Sequence, residues 1–195
     1  MIVFVEDAAE AVTSVDAQVG EPVRVGDPFD ETSQMGPLVS ERQRDRVEGY
    51  IAKGIEEGAR LVTGGGRPAD LARGWYVEPT VFDNVDNSST IAREEIFGPV
   101  LTVIEAADEK DAVRIANDTI YGLNASVFTN DVERAREVAG QIRSGTVGHN
   151  AFRTDFGMSF GGFKQSGIGR EGGKEGLLPF LETKSVILEG RPAGY

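Results

Sequence analysis

The sequence contains no cysteine and a single histidine, His149. A chain without cysteine forms no disulfide bond and no zinc–thiolate site, and it has no thiol nucleophile. One imidazole leaves almost no histidine for metal binding or proton transfer. These absences exclude several large enzyme classes, and we expect no metal site.

Positive charge and long apolar runs are also scarce. Only 20 lysines and arginines stand against 32 aspartates and glutamates, so the formal net charge is −12. Nucleic acids and anionic lipid surfaces are bound mainly through clustered Lys and Arg, which argues against both partners. No apolar run is long enough to span a membrane, and residues 1–7 lack the basic segment of a signal peptide. We therefore expect a cytoplasmic protein.

Helical and extended patterns alternate along the 195 residues, which suffice for one soluble domain. Apolar residues at helical spacing predict helices over residues 6–19 and after Ser40, Asp108 and Asn130. The helix after Ser40 has a capping-box pattern, ends at Gly58 and presents an apolar face formed by Val47, Tyr50, Ile51 and Ile55. Apolar and β-branched segments predict strands at 61–62, 75–81, 99–104, 125–128 and 146–147. This order predicts an α/β fold with a mainly parallel sheet and helices on both faces.

Glycine is concentrated near the C-terminus, where eight glycines lie between residues 157 and 176. This density predicts a long loop whose backbone shape matters. The segment 162–167 is not a phosphate-binding P-loop, because Ile168 follows where that motif needs lysine. The earlier run Gly64–Gly66 is interpreted as a plain loop, because no helix follows it.

The polar candidates each have an ordinary alternative. His149 follows a strand, but no orienting carboxylate accompanies it, so we expect it to pack or to form a hydrogen bond. Glu94 and Glu95 would usually be solvated charges at a helix end. Here an aromatic residue and Gly-Pro follow before a buried strand, which would hold a carboxylate and a ring at a strand edge, where α/β sheets bind ligands.

Four segments then identify a family by their order and spacing: EEIFGPV at 94–100, YGL at 121–123, SGTV at 144–147 and FGGFKQSGIGRE at 160–171. Together with VGDPFD at 25–30, MGPLVS at 35–40 and EPTVF at 78–82, they resemble the aldehyde dehydrogenase superfamily. The resemblance covers nearly the whole chain except residues 1–20. It implies an NAD- or NADP-dependent enzyme in which a cysteine attacks a small aldehyde, hydride passes to the nicotinamide and water hydrolyses the thioester.

The same resemblance assigns expected roles to individual residues. Glu95 corresponds to the acid that hydrogen-bonds the nicotinamide ribose, and Phe97 to the ring that supports that end of the cofactor. On the substrate side, Phe160 corresponds to an aromatic residue of the aldehyde tunnel, and Glu171 to an acid near the water and proton path. The variable lip of the tunnel is expected from Asn150 through Phe152 to Phe156.

The resemblance also divides the chain into two parts and shows where its sequence departs from the family pattern. Residues 1–182 would be part of the catalytic domain, and residues 183–195 an oligomerisation strand and tail, with 183–188 pairing with a neighbouring subunit. Gly148-His149-Asn150 replaces the family's aromatic-aliphatic-Asn, and Ser159 replaces its proline, so the tunnel shape should differ. The family's nucleophilic cysteine, general-base glutamate, oxyanion asparagine and NAD-binding domain correspond to positions before Met1. We therefore expect weak or no NAD binding and no turnover by the isolated chain.

Three functional hypotheses remain. The chain is part of an aldehyde dehydrogenase that works only with a segment carrying the cysteine, it is a non-catalytic assembly or binding module that pairs with intact subunits, or it is a remnant without a role. In the first two cases the partner is a second copy or a complementary aldehyde dehydrogenase chain. Apolar surface left by the missing partner should favour self-association.

Overall fold

Two small sheets and five helices form the part of the chain described by the computed structural model, which covers residues 2–4, 23–152, 155 and 157–194. The predicted helix at 6–19 and the candidate Phe156 lie outside these residues. The strands are β1 (Ile2–Phe4), β2 (Arg60–Thr63), β3 (Thr80–Asp83), β4 (Val100–Thr102), β5 (Asn124–Phe128) and β6 (Thr146–His149). The helices are α1 (Glu41–Glu56), α2 (Thr90–Arg93), α3 (Glu109–Asn117), α4 (Val132–Gln141) and α5 (Gly173–Leu177).

The two sheets have different strand directions. In the first, β5 lies between β1 and β6 and all strands are parallel. In the second, β3 lies between β2 and β4, parallel to β4 but antiparallel to β2. The predicted α/β class is confirmed. The mainly parallel pairing is also confirmed, since three of the four strand pairs are parallel, although the described strands form two sheets. The pair β2–β3 is antiparallel because the loop that joins these strands contains no crossover helix.

Each sheet packs against its own apolar cluster. In the first cluster, α3 and α4 contribute Val113 and Val138, which pack with Val127 of β5. In the second, α1 contributes Val47 and Ile51, which pack around the fully buried ring of Phe82. Ile96, immediately before Phe97, belongs to this second cluster. The second core therefore reaches directly under the segment in which the cofactor residues were predicted.

The start and end of α1 confirm the capping prediction. The Ser40 hydroxyl accepts a hydrogen bond from the Gln43 amide at 3.3 Å, and Gly58 follows the helix at φ +89°. A left-handed residue of this kind is favourable for glycine and ends helices. The predicted apolar face is correct for Val47 and Ile51 and wrong for Ile55, whose side chain is 52% exposed.

Several boundaries differ from the sequence prediction, since β4 is shorter than the expected 99–104 and β6 is longer than 146–147, and two other differences have a visible cause. The strand expected over 75–81 is confined to β3, because Pro79 has no amide for a ladder and the Glu78 amide donates to Gly66 instead. The cap of α4 is Asp131 and not Asn130, since the Asp131 carboxylate accepts from the amides of Glu133 and Arg134. The loop interpretation of Gly64–Gly66 is confirmed, with no helix after it.

The C-terminal segment 183–188 does not form the predicted strand within this chain. All six of its residues are exposed and none belongs to a strand. A strand needs a neighbouring strand for its ladder, and the described part of the chain offers it none. Among the described residues, no helix is both long and apolar enough to cross a membrane.

Acid should destabilise the fold partly through Glu57, which joins the end of α1 to the start of α2. Its carboxylate accepts hydrogen bonds from the Thr90 hydroxyl at 2.6 Å and the Thr90 amide at 2.7 Å. These bonds hold the pKa of Glu57 below its ordinary value of 4.5. A lowered folded-state pKa gives stability that is present above the unfolded-state pKa and is lost as pH falls through the folded-state pKa.

We therefore expect the melting temperature to fall on acidification below about pH 4.5, and to fall less steeply in Glu57→Gln. Differential scanning calorimetry across this range measures both slopes. Glu56→Gln is the matched control, because the Glu56 carboxylate contacts the half-buried Lys53, which both acids share, and not Thr90. A Glu57→Gln profile identical to that of the wild type would contradict the assignment.

Candidate functional site

The segment from Glu94 to Gly98, here called the 94–98 loop, connects α2 to β4 and carries the predicted cofactor residues. Phe97 has φ +60°, a conformation that bulky residues rarely adopt, and its ring is 73% exposed. A side chain at Gly98 would lie well under 3.0 Å from Val47. Strained residues of this kind persist only where the surroundings hold them, and they cluster at ligand sites.

Helix α1 holds the 94–98 loop in this conformation through side-chain hydrogen bonds. Gln43 Nε2 donates to the carbonyl oxygens of Ile96, at 3.3 Å, and Phe97, at 2.9 Å. Arg46 donates to the carbonyl of Glu95 at 2.8 Å. These contacts fix the backbone of the loop while the side chains of Glu95 and Phe97 stay exposed.

An open cavity of about 540 Å³ lies beside the loop and is lined by Glu95. Its other walls come from the end of α3, the turn before β5 with the start of that strand, and the segment between α4 and β6. Gln165 and Ser166 complete the lining and belong to residues 160–171, here called the glycine-rich loop. The Ser144 hydroxyl in the cavity wall is buried and has no hydrogen-bond partner in the described structure. The cavity thus brings one predicted cofactor residue next to three motifs that lie far from it in sequence, at 121–123, 144–147 and 160–171.

The glycine-rich loop is anchored through a short 3₁₀ turn at Lys164–Ser166. The Ser166 hydroxyl accepts from the Gly122 amide at 2.9 Å, and the Phe163 amide donates to the Gly122 carbonyl at 2.8 Å. Lys164 Nζ donates to the carbonyls of Asn117 and Thr119. Burial, and secondarily the charge of Arg143, lowers the pKa of this amine. Lys164 therefore acts as a structural clamp between the loop and the end of α3.

Phe160 and Glu171 face each other across the two ends of the glycine-rich loop. The Phe160 amide donates to the Glu171 carbonyl at 2.7 Å, and the Glu171 amide donates back at 2.8 Å. The Phe160 side chain is half-buried and the Glu171 side chain is exposed. A single backbone bridge thus sets the spacing of the predicted tunnel ring and the predicted accessory acid.

The predicted tunnel lip begins where β6 ends. The Asn150 side chain accepts from the Thr129 amide at 3.0 Å and donates to the Thr129 carbonyl at 2.8 Å, so it fastens β6 to the end of β5. Phe152 follows with its ring 72% exposed.

His149 Nε2 lies 2.9 Å from the same Thr129 carbonyl, which accepts hydrogen bonds only, so this nitrogen carries the proton. The predicted hydrogen-bonding role of His149 is confirmed.

The structure brings the predicted site residues together in three separate pairs. Phe160 and Glu171 are joined by a backbone bridge, Glu95 and Phe97 lie on one loop, and Asn150 and Phe152 lie two positions apart just after β6. The side chains of Gln43, Arg46 and Lys164 were missed by the sequence analysis. Their targets are backbone carbonyls distant in sequence. Gln43 was recognised only as part of the capping box and Lys164 only as part of the motif at 160–171, and neither pattern indicates these contacts.

The chemistry that these groups can perform is binding and positioning. The chain has no cysteine, and its one imidazole is hydrogen-bonded to a carbonyl. No cluster of three or more His, Asp or Glu side chains suited to a metal occurs among the described residues. The described site therefore offers a carboxylate, exposed rings and a shaped cavity, without an activated nucleophile.

Known proteins match both the sequence and the structure. A curated betaine aldehyde dehydrogenase from Brucella melitensis is 51% identical over 170 residues, which are 86% of this chain and 35% of that protein. A solved Mycobacterium tuberculosis aldehyde dehydrogenase in complex with NAD⁺ superposes with a TM-score of 0.90 at 54% identity, covering 100% of this chain and 39% of that one. A Staphylococcus aureus betaine aldehyde dehydrogenase gives a TM-score of 0.89 at 39% identity, covering 98% and 39%.

The match covers a fragment of each relative, since the chain spans little more than a third of their length. A sequence profile of the aldehyde dehydrogenase family matches residues 1–186, which include the 94–98 loop, the cavity and the glycine-rich loop. The expected resemblance is confirmed over that range, and the chain belongs to the aldehyde dehydrogenase family.

Proposed function

We propose that this chain supplies the C-terminal part of the catalytic unit of an aldehyde dehydrogenase, which oxidises an aldehyde to a carboxylic acid with NAD or NADP. The observation that carries the proposal is the 94–98 loop. It holds Phe97 in a strained conformation and leaves Glu95 at the wall of a cavity, in a chain that superposes on an NAD-bound aldehyde dehydrogenase.

The groups of the loop fit the nicotinamide end of the cofactor. The Glu95 carboxylate is an acceptor for ribose hydroxyl groups, and the exposed ring of Phe97 offers a flat apolar surface to the nicotinamide. The bound dinucleotide would supply the hydride acceptor. The chain itself contributes only the orientation of one end, so its own affinity for NAD should be weak.

The aldehyde would approach along the segment from Asn150 to Phe160. Phe160 would form a wall of the tunnel, and Asn150, Phe152 and Phe156 would contribute to its lip, with Phe156 lying outside the described residues. Glu171, held opposite Phe160 by the backbone bridge, would be an accessory acid near the path of water and protons. The relatives named above include betaine aldehyde dehydrogenases, and aromatic rings bind quaternary ammonium groups. Betaine aldehyde is therefore one of the small aldehydes to be tested.

The covalent step needs a thiolate that this chain does not contain. The chain would therefore act only with a segment that carries the nucleophilic cysteine and the NAD-binding domain. Residues 1–182 would form the catalytic part, and residues 183–195 the oligomerisation strand and tail, in a cytoplasmic assembly of like or complementary chains. The test is co-expression with such a segment, followed by assay of NADH formation from NAD and an aldehyde.

A second candidate function is assembly with intact subunits without catalysis. The observation that favours it is the run of large apolar side chains at the C-terminus, each more than half exposed: Leu177, Leu178, Phe180, Leu181, Val186, Ile187 and Leu188. Such a surface is covered in stable proteins by a partner. Co-expression with an intact relative should then give mixed oligomers without added activity. Co-expression that yields only homo-oligomers of the intact relative, with none of this chain in them, would contradict this candidate.

A further inference from the structure

One face of α1 is directed at the 94–98 loop. Its residues are Gln43, Arg46, Val47 and Tyr50, at the spacing i, i+3, i+4 and i+7 that places side chains on one side of a helix. The apolar member is buried in the second core, whereas the three polar members contact the loop. The face therefore combines a packing residue with three hydrogen-bonding residues aimed at a single segment.

The three polar side chains hold consecutive parts of the loop. Arg46 holds the carbonyl of Glu95, and Gln43 holds the carbonyls of Ile96 and Phe97. These are the peptide groups on both sides of the strained residue. A residue at φ +60° other than glycine relaxes unless outside contacts over-determine it, and here the outside contacts come from α1.

Tyr50 binds Glu94, the first of the two adjacent acids. Its hydroxyl donates to Glu94 Oε2 at 2.6 Å and accepts from Arg46 at 3.1 Å, and the Arg46 guanidinium lies 5.2 Å from the centre of the Tyr50 ring. The bond to the Glu94 carboxylate raises the pKa of the phenol. Glu94 is thereby tied back to the helix, while Glu95 lines the cavity.

We propose that Gln43, Arg46 and Tyr50 are positioning residues that fix the 94–98 loop in the conformation that presents Glu95 and Phe97 to the nicotinamide end of the cofactor. The role rests on the proposed function, because the cofactor itself is a proposal for this chain. The residues act through the loop backbone and through Glu94. Their loss should therefore make the backbone of the loop less ordered and raise KM for NAD, without changing KM for the aldehyde.

The first experiment needs only this chain. Gln43→Met removes both donors to the loop at nearly unchanged volume, and Gln141→Met is the matched control, since Gln141 donates only to a carbonyl of its own helix. Backbone ¹⁵N order parameters of residues 95–98 should be about 0.85 in the wild type and the control, and below about 0.6 in Gln43→Met. Unchanged order parameters in Gln43→Met would overturn the proposal.

The second experiment uses the enzyme reassembled from this chain and a cysteine-bearing segment. Gln43→Met and Tyr50→Phe should each raise KM for NAD about fivefold, as expected for one lost hydrogen bond, and leave KM for the aldehyde within about twofold. Arg46→Lys, which keeps a charged donor near the Glu95 carbonyl, should recover most of the loss seen in Arg46→Gln. General destabilisation would lower the yield of enzyme without separating the two KM values.

The two experiments fail in different ways. If the wild-type assembly forms no NADH, the proposed function is wrong, and the cofactor role of the helix face is wrong with it, while the order parameters still decide whether α1 fixes the loop. If the assembly is active and KM for NAD is unchanged in both variants, the positioning role is wrong and the proposed function stands.

Discussion

The isolated chain should form no NADH from NAD and an aldehyde, and the same chain should support NADH formation once it is combined with a segment that carries the nucleophilic cysteine. The reason is chemical, because a thiohemiacetal requires a thiolate and the chain has no cysteine. The described residues supply a carboxylate, rings and a cavity, which orient reactants but do not attack them.

The relatives provide a suitable partner for this test. The part of the Mycobacterium tuberculosis aldehyde dehydrogenase that lies outside the matched 39% can be co-expressed with this chain, because the two proteins are 54% identical over the matched region. A tag on one chain isolates the complex, mass spectrometry establishes its two components, and NADH absorbance measures turnover. Replacement of the partner's nucleophilic cysteine by serine should lower the rate by about 10⁴-fold or more.

Two controls test separate parts of this prediction, the need for this chain and the role of Glu95. The partner segment alone should be inactive, because it lacks the loop and the tunnel wall that this chain supplies. Glu95→Gln in the complex should weaken the use of NAD, since an amide is a poorer acceptor for ribose hydroxyls than a carboxylate. NADH formation by this chain alone, or a pure complex that is inactive with its cysteine intact, would contradict the proposed function.

Local sequence patterns predicted most of the elements because their causes are local. The cap at Ser40, the stop at Gly58 and the spacing of Val47 and Ile51 depend on residues within a few positions of each other. Pro79 shortened β3 for an equally local reason, and its effect was available from the sequence. Motif order identified the family, and the position of the motifs placed Glu95 and Phe97 on one loop.

Distant contacts account for what the sequence did not reveal. Gln43 and Phe97 are 54 positions apart, and no periodicity links a glutamine side chain to a carbonyl at that separation. Asn150 was assigned to the tunnel lip by its place in a motif, yet its side chain is engaged by Thr129, 21 positions earlier. The segment 183–188 has the composition of a strand, but no strand lies beside it in the part of the chain that the structure describes. Strand formation depends on a pairing neighbour and not on composition alone.

Gly145 has the least room of the residues that join the first sheet to the glycine-rich loop. It lies just before β6, where its amide donates to the Gly122 carbonyl at 3.0 Å. A side-chain carbon at Gly145 would lie far inside van der Waals contact with the Gly161 carbonyl oxygen. The Gly161 oxygen belongs to the backbone, and the position of a Cβ atom is fixed by its own backbone, so no side-chain rotation can relieve the overlap.

Gly145→Ala should therefore destabilise the fold by about 3 kcal/mol, the upper end of the usual cost of overpacking. For a chain of this size that corresponds to a fall in melting temperature of about 6–12 °C. Gly140→Ala is the matched control, because the space around Gly140 is open and the residue lies in α4, where alanine is favoured by about 0.5–1 kcal/mol. Thermal unfolding followed by circular dichroism measures both variants against the wild type.

The two substitutions should move stability in opposite directions although the chemical change is the same. Gly161 directly follows Phe160, so relief of the overlap in Gly145→Ala must displace the bridge between Phe160 and Glu171. In the reassembled enzyme, this variant should raise KM for the aldehyde more than KM for NAD, which is the reverse of the effect expected for Gln43→Met. If the melting temperature of Gly145→Ala lies within about 1 °C of that of Gly140→Ala, the close contact between β6 and the glycine-rich loop does not stabilise the fold. The assignment of Phe160 to a tunnel wall held by that contact is then wrong.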